Sequence, residues 1–335
     1  MPTSETLPKP VRVLPTDLIV FAEAAFLSAL CFAHPHAGPF SVMGVSLSAA
    51  WMAGVLDAAL AILALAMPVL VKPDAHPVLR FLRTFYPQLL SALFFFQVIF
   101  LSSLVFGGYS HDAFFESIDQ AVFGFQPARE FSAAFSHNAW LNELMFTAYC
   151  SYFVLLAVTP WIPWFMGRKD EAERQLFVFV ALSAILDIWY VFFRVQGPKY
   201  WMPDLRELWY GHFQGGPITH FFQNGVDTVT LSGAAFPSSH MAEMTMFCIL
   251  AARSHKKLAA FYVPWTVIIG AATIYLYAHY AVDSVAGVVV GLALTYALLA
   301  LSGRASALAG SVASLYGRLR LWLARRPGIA KAPPA

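Results

Sequence analysis

Two histidines stand at the starts of apolar stretches, each among neighbours that suit it to chemistry. The first closes Phe236-Pro237-Ser238-Ser239-His240, and the second opens His279-Tyr280-Ala281-Val282-Asp283. His279 and Asp283 are four residues apart, which places them on one face of a helix. A carboxylate there can accept the proton of one ring nitrogen, fix the tautomer and leave the other nitrogen free to attack. Imidazole is a competent nucleophile toward phosphorus, and Asp283 would stabilise the imidazolium formed. Alone, a pair at this spacing is more often structural. In the other motif, Pro237 suits the first turn of a helix, Ser238 and Ser239 can cap it, and the turn's free N–H groups make an anion site. His240 beside a bound anion can protonate a leaving alkoxide. Paired imidazoles with one carboxylate fit the movement of a phosphoryl group.

The elements that must position them are set by composition. Of 335 residues, 59% are hydrophobic and only 12% charged, which is too apolar for a soluble globule. The net charge of +2 says little beside the placement of the charges. Cys31, Cys150 and Cys248 lie inside apolar runs without disulfide or ligand spacing and read as packing residues. The N-terminus lacks a cleavable signal pattern, so the first apolar run is expected to be retained.

The fold expected is all-α, a polytopic membrane bundle of about eight transmembrane helices. The spans fall near Leu18–Ala33, Met43–Val71, Leu79–Phe106, Trp140–Phe165, Leu176–Phe193, Ser238–Ala252, Leu258–Tyr277 and Tyr280–Ser302. Ser110–Asn138, with Phe114, Ile118 and Val122 at helical spacing, reads as a helix lying in the interface. Residues 1–78 are expected to form an N-terminal cytoplasmic segment with the first two helices, 79–302 to hold six spans, and 303–335 to be a basic amphipathic cytoplasmic tail.

Basic residues gather in alternate connections: Lys9 and Arg12, Lys72 with Arg80 and Arg83, Arg168 with Lys169 and Arg174, and Arg253 with Lys256 and Lys257. Arg304, Arg318, Arg320, Arg325 and Arg326 continue the pattern. The positive-inside rule then puts both termini in the cytoplasm of a plasma or inner membrane. Both histidine motifs land on the opposite face, periplasmic or lumenal, and one helical hairpin between them lets them meet.

With both motifs on one face, the Phe236-Pro237-Ser238-Ser239-His240 and His279-Tyr280-x-x-Asp283 elements resemble the type 2 phosphatidic acid phosphatase superfamily. Gly233-Ala234-Ala235-Phe236 and Tyr275-Leu276-Tyr277-Ala278-His279-Tyr280 most resemble its branch of inositol phosphorylceramide synthases and bacterial membrane phosphatases. The resemblance implies His279 as the nucleophile forming a phosphohistidine, Asp283 as its orienting partner and His240 as general acid, with no metal and no cofactor. The superfamily's Lys-x6-Arg-Pro signature is missing. Arg194-Val195-Gln196-Gly197-Pro198-Lys199-Tyr200 stands in its place, and Thr273 replaces the arginine usual six residues before the histidine.

Lys199 is therefore the first choice as phosphate ligand, with Ser238 and Ser239 at the helix start and Arg194 and Arg206 as helpers. The plain alternative for Lys199 is an interfacial, snorkelling lysine. Asp187, Tyr190 and Arg194 form one stripe that either supports the site or closes a buried Asp–Arg network. Glu243, one turn below His240, either orients it or pairs with another span. Glu23 and Asp57 are expected to pair inside the bundle, and His212 and His220 to be loop hydrogen-bonders.

These residues imply an integral membrane lipid phosphatase acting on a phospholipid or isoprenyl phosphate, with no nucleic-acid partner. An acceptor alcohol or head group in place of water would make it a head-group phosphotransferase. The reading from another class is a multispan transporter with Glu23, Asp57 and Asp187 on an ion path.

Overall fold

The computed structural model describes residues 11–38, 40–42, 45–209, 213–225 and 232–324. The first helices are α1 (Pro15–Ala33), α2 (Ala50–Leu70) and α3 (Pro77–Phe106), with strands β1 (Phe40–Val42) and β2 (Val45–Leu47) pairing antiparallel between α1 and α2. Then come α4 (Asp112–Phe123), α5 (Pro127–Phe135), α6 (Ala139–Val158), α7 (Trp161–Phe165) and α8 (Lys169–Phe192). Short helices α9 (Pro198–Trp201), α10 (Pro203–Trp209) and α11 (Pro217–Gly225) lead to α12 (Ser239–Ser254), α13 (Lys256–Tyr275) and α14 (Ala281–Ala324). The chain is an all-α polytopic bundle, and the small hairpin is its one departure among the described residues.

Seven described helices are long and apolar enough to cross a membrane: α1, α2, α3, α6, α8, α13 and α14. The expected sixth span is α12, whose 16 residues reach roughly 24 Å. It is buried along nearly its whole length, packed by α8, α13 and α14. A helix wrapped by other helices need not be apolar, which is why polar His240, Glu243 and Thr245 sit on it. The fourth expected span breaks at Thr159–Pro160 into α6 and α7.

Two further expectations change. Ser110–Asn138 holds two helices, because Gly124 closes α4 with φ 79° and Pro127 opens α5. On α4, Phe114 and Val122 face outward, while Asp112, Phe115 and Asp119 are buried. From Ser302 to Ala324 the expected tail continues α14, which runs unbroken for 44 residues, and residues 325–335 lie outside the described ones. That is roughly 66 Å, about twice a bilayer's hydrocarbon core. Tyr316 near its end donates to the carbonyl of Leu65 on α2 at 2.7 Å.

Helices α1 and α2 pack on each other, and α1 also on α3 and α8. At one end of α1, Asp17 takes Arg83 of α3 in a buried ion pair and the Tyr86 hydroxyl at 2.8 Å. Deeper in the bundle, Glu23 and Asp57 each face a group from another helix. Gln97 donates to Asp57, and Glu23 meets the carboxyl of Asp187 on α8.

Candidate active site

The second histidine sits in the tight turn between α13 and α14. The N–H groups of Ala278 and His279 both donate to the carbonyl of Thr273, at 3.0 and 3.1 Å, and Tyr277 takes a left-handed φ of 60°. Thr273, standing where the resemblance expects arginine, is fully buried, and its hydroxyl lies 2.8 Å from the Gly270 carbonyl and 3.2 Å from Ser284. It serves the turn, not the site's charge.

The first histidine is brought to this turn by close helix packing. Ser238 is the N-cap of α12, its hydroxyl accepting from the Met241 N–H at 3.4 Å. Pro237 therefore lies just outside the helix and not in its first turn. The Ser238 N–H donates to the Asp283 carbonyl at 3.0 Å. Below it, a Cβ on Gly287 or Gly291 of α14 would stand 2.5 Å from the carbonyl oxygens of Ser238 and Ala242 respectively. This small-xxx-small pair lets α14 lie directly on α12. The pair stands in the sequence as Gly-x-x-x-Gly at 287–291.

The two imidazoles touch. Nε2 of His279 is 3.4 Å from Nδ1 of His240, and both rings are buried. Nδ1 of His279 is 2.8 Å from the carbonyl oxygen of Ala235, an acceptor only, so this nitrogen carries the proton and Nε2 keeps its lone pair. Asp283 stands 3.7 Å from the same Nδ1, beyond hydrogen-bond length, and its Oδ2 accepts the Tyr280 N–H at 2.9 Å. The tautomer is thus held by a backbone carbonyl, with Asp283 as a near charge. His240 stacks on the Tyr152 ring at 4.0 Å, and Tyr152 donates its hydroxyl to Glu243, which also accepts from Ser183 at 2.7 Å. Glu243 reaches His240 only through Tyr152.

The Gly-Pro-Lys element closes over the turn. The Lys199 N–H donates to the Tyr277 carbonyl at 2.9 Å. Gly197, at φ 89°, approaches so closely that a Cβ would stand 2.5 Å from the Ala278 carbonyl. Only glycine fits there. Lys199 is buried, with its ammonium 3.7 Å from the centre of the Trp209 ring. Burial, helped by the charge of Arg206, pushes its pKa down to about 7.

A cavity of about 490 Å³ joins these groups. Lys199, Ser239, His240 and His279 line its upper end, and Phe85, Gln88 and Trp161 its lower end. Arg194 is not among its lining residues. Its guanidinium turns instead to the Tyr109 carbonyl at 3.4 Å, and burial lowers its pKa against the opposing charge of Asp112. The expected Asp187–Arg194 network does not form, because Asp187 meets Glu23. Ser238 is also outside the lining, its hydroxyl spent on the cap. Arg206 and His220 are exposed, and His212 lies outside the described residues. Among the described residues no group of three or more His, Cys, Asp or Glu stands in a metal-ligand arrangement.

Asp112 and Asp119 were invisible to motif reading. Both are buried on α4; Asp112 accepts from the peptides just before Lys199, and Asp119 from the first turn of α14 just after His279. Their i, i+7 spacing on a helix with an outward apolar stripe is the signal that could have found them.

Residues 116–297, over half of the chain, match the family model described as PAP2 superfamily. The stretch holds both histidines, Asp283 and Lys199. No curated protein and no solved structure matches the chain.

Proposed function

Because the chain belongs to the PAP2 superfamily, a family of phosphatases and phosphotransferases, we propose that it hydrolyses a lipid phosphate at the outer face of its membrane through a phosphohistidine. The observation that carries this reading is the pair of touching imidazoles at the head of a membrane-depth cavity. In the first step Nε2 of His279 bonds to phosphorus and the bond to the lipid oxygen breaks. His240 gives that oxygen its proton. Water then attacks the phosphohistidine, His240 takes the water's proton, the P–N bond breaks and phosphate leaves. Phosphorus on Nε2 must occupy the place that His240 now faces, so substrate binding parts the rings. Lys199 and the first-turn N–H groups of α12 would hold the anion.

The cavity supports a lipid. From Phe85 to Phe96 on α3, and from Phe179 to Tyr190 on α8, its lining spans twelve residues of helix, roughly 16 Å. That is about half the hydrocarbon core and enough for the chain of one leaflet. Helix α3 packs on α8 and α6 on α13, leaving the two apart in front of the cavity. Leu89 and Ala92 of α3 and Phe153 of α6 line it and are exposed. Gln88 ties the lower end by bonds to the α6 carbonyls and Trp161.

One observation favours a second reading, a head-group phosphotransferase with an alcohol in place of water. Among the described residues Lys199 is the only lysine or arginine in the lining, and a single cation suits a phosphodiester monoanion better than a monoester dianion. The superfamily match does not separate these branches. Of the carboxyls behind the transporter reading, Asp57 accepts from Gln97, and Glu23 and Asp187 face each other between α1 and α8.

Labelled lipid phosphate, mixed with excess enzyme and quenched without acid, should leave an acid-labile label on the protein. His279→Ala should abolish it and lower turnover on the order of 10⁴-fold or more. Unchanged turnover in that variant would sink the nucleophile assignment. Adding acceptor alcohols and measuring transferred against released phosphate separates the two readings.

A further inference from the structure

Helix α4 holds the site together from outside it. Asp112 and Asp119 are 0% and 1% exposed, two turns apart on its inner face. Asp112 accepts the N–H groups of Gln196 and Gly197 at 2.8 and 2.9 Å, and the Tyr280 hydroxyl at 3.1 Å. Asp119 accepts the N–H groups of Ala281 and Val282 at 2.8 and 3.1 Å. Those are first-turn donors of α14, which have no partner within their own helix. Asp119 thus caps the helix that follows His279 from a different element, where a carboxylate also suits the helix dipole. Asp112 grips the peptides just before Pro198 and Lys199. Neither side chain lines the cavity.

We infer that Asp112 and Asp119 are positioning residues, Asp119 fixing the His279 turn and Asp112 fixing the Lys199 loop, so that one rigid helix sets the nucleophile against the phosphate ligand. The inference rests on the proposed roles of His279 and Lys199. It separates the two constants. In Asp119→Asn an NH2 group replaces one acceptor, the first turn of α14 loosens and His279 loses its line of attack. Misplacement by about 1 Å costs roughly 10²-fold, so kcat falls by about that factor with KM unchanged. In Asp112→Asn the loop holding Lys199 loosens and KM rises about tenfold, the loss of one charge-assisted hydrogen bond; the Tyr280 hydroxyl loses strength too, but Asp119 still holds the first turn of α14, so kcat falls far less than in Asp119→Asn.

The test is steady-state kinetics of the full-length protein in detergent, using a short-chain lipid phosphate, with thermal midpoints and His279→Ala measured alongside. Opposite kcat and KM signatures in the two variants, with midpoints lowered alike, support the inference. Equal losses in both constants, or none, overturn it. Should either asparagine variant fail to fold, Asp112→Glu and Asp119→Glu keep the charge, shift the oxygens and are read by the same split. If His279→Ala keeps its turnover, the reading of the site falls instead. An inactive His279→Ala beside unaffected aspartate variants removes the inference alone.

Discussion

Lys199 carries a consequence that follows from its surroundings. Its amine is packed over Trp209 and held near neutrality by burial, with a pKa of about 7. Below that pH it is charged and attracts phosphate; above it, the free protein presents a neutral amine. The kcat/KM for a lipid phosphate should therefore fall as pH rises through about 7. Phosphate itself titrates near 6, so wild type alone cannot assign the limb. Lys199→Arg, which stays charged throughout, should carry the limb to higher pH. Lys199→Met should lower kcat/KM by roughly 10- to 100-fold, the worth of a charge-assisted hydrogen bond at about 1.5–3 kcal/mol. A limb that stays in place in Lys199→Arg would clear the lysine. At this scale the sequence was legible where chemistry is local: both histidine motifs and Lys199 stand together at one cavity mouth. It was not legible where a partner is tertiary. Nothing near His279 in the chain announces the Ala235 carbonyl that holds its proton, and nothing near Arg194 announces Tyr109.

The close contact between α12 and α14 sets how near the two histidine-bearing segments stand. Gly287 and Gly291 let the α14 backbone meet the carbonyls of Ser238 and Ala242. A methyl at 287 would meet the Ser238 carbonyl and the Cβ atoms of Met241 and Ser238, none of them a flexible chain end, so Gly287→Ala must push the helices apart. Overpacking of this kind costs about 1–3 kcal/mol, read as a lowered thermal midpoint. Because Ser238–His240 moves against Asp283, kcat should drop more than a loss of folded protein explains. Gly303, which meets nothing within 4 Å, is the control, and Gly303→Ala should leave both unchanged. Equal behaviour of the two variants would show that the close approach is unimportant. Elements were readable where hydropathy alone decides, as in α1, α3, α8 and α13. They were misread where burial within the bundle replaces contact with lipid, as in the short, polar α12. The continuous α14 was also hidden, because arginines beyond Ser302 mark a change of surroundings and not a helix end.

At the scale of the whole molecule, the cavity is the feature that ties the chemistry to the membrane. Its upper end carries the imidazoles and Lys199, its lower end holds the Gln88–Trp161 bond, and its lining is exposed at Leu89 and Ala92 of α3 and Phe153 of α6. A lipid whose phosphate sits at the histidines would lay its chain along α3, α6 and α8 and reach the site sideways from its own leaflet. No sequence pattern announces such a groove, since Leu89, Ala92 and Phe153 are ordinary apolar residues of their spans and only the gap between two helices makes them a wall. Ala92 is small, exposed and on that wall. Ala92→Trp fills the opening with a ring while leaving the imidazoles and Lys199 untouched. For a long-chain lipid phosphate, kcat/KM should fall at least about tenfold, the worth of losing the burial of two methylene groups at about 0.8 kcal/mol each. A water-soluble short-chain phosphate, which has no chain to lay in the groove, should be turned over as by the wild type. Equal losses on both substrates would mean that the tryptophan disturbs the site itself. Equal retention would mean that the chain of the substrate lies elsewhere.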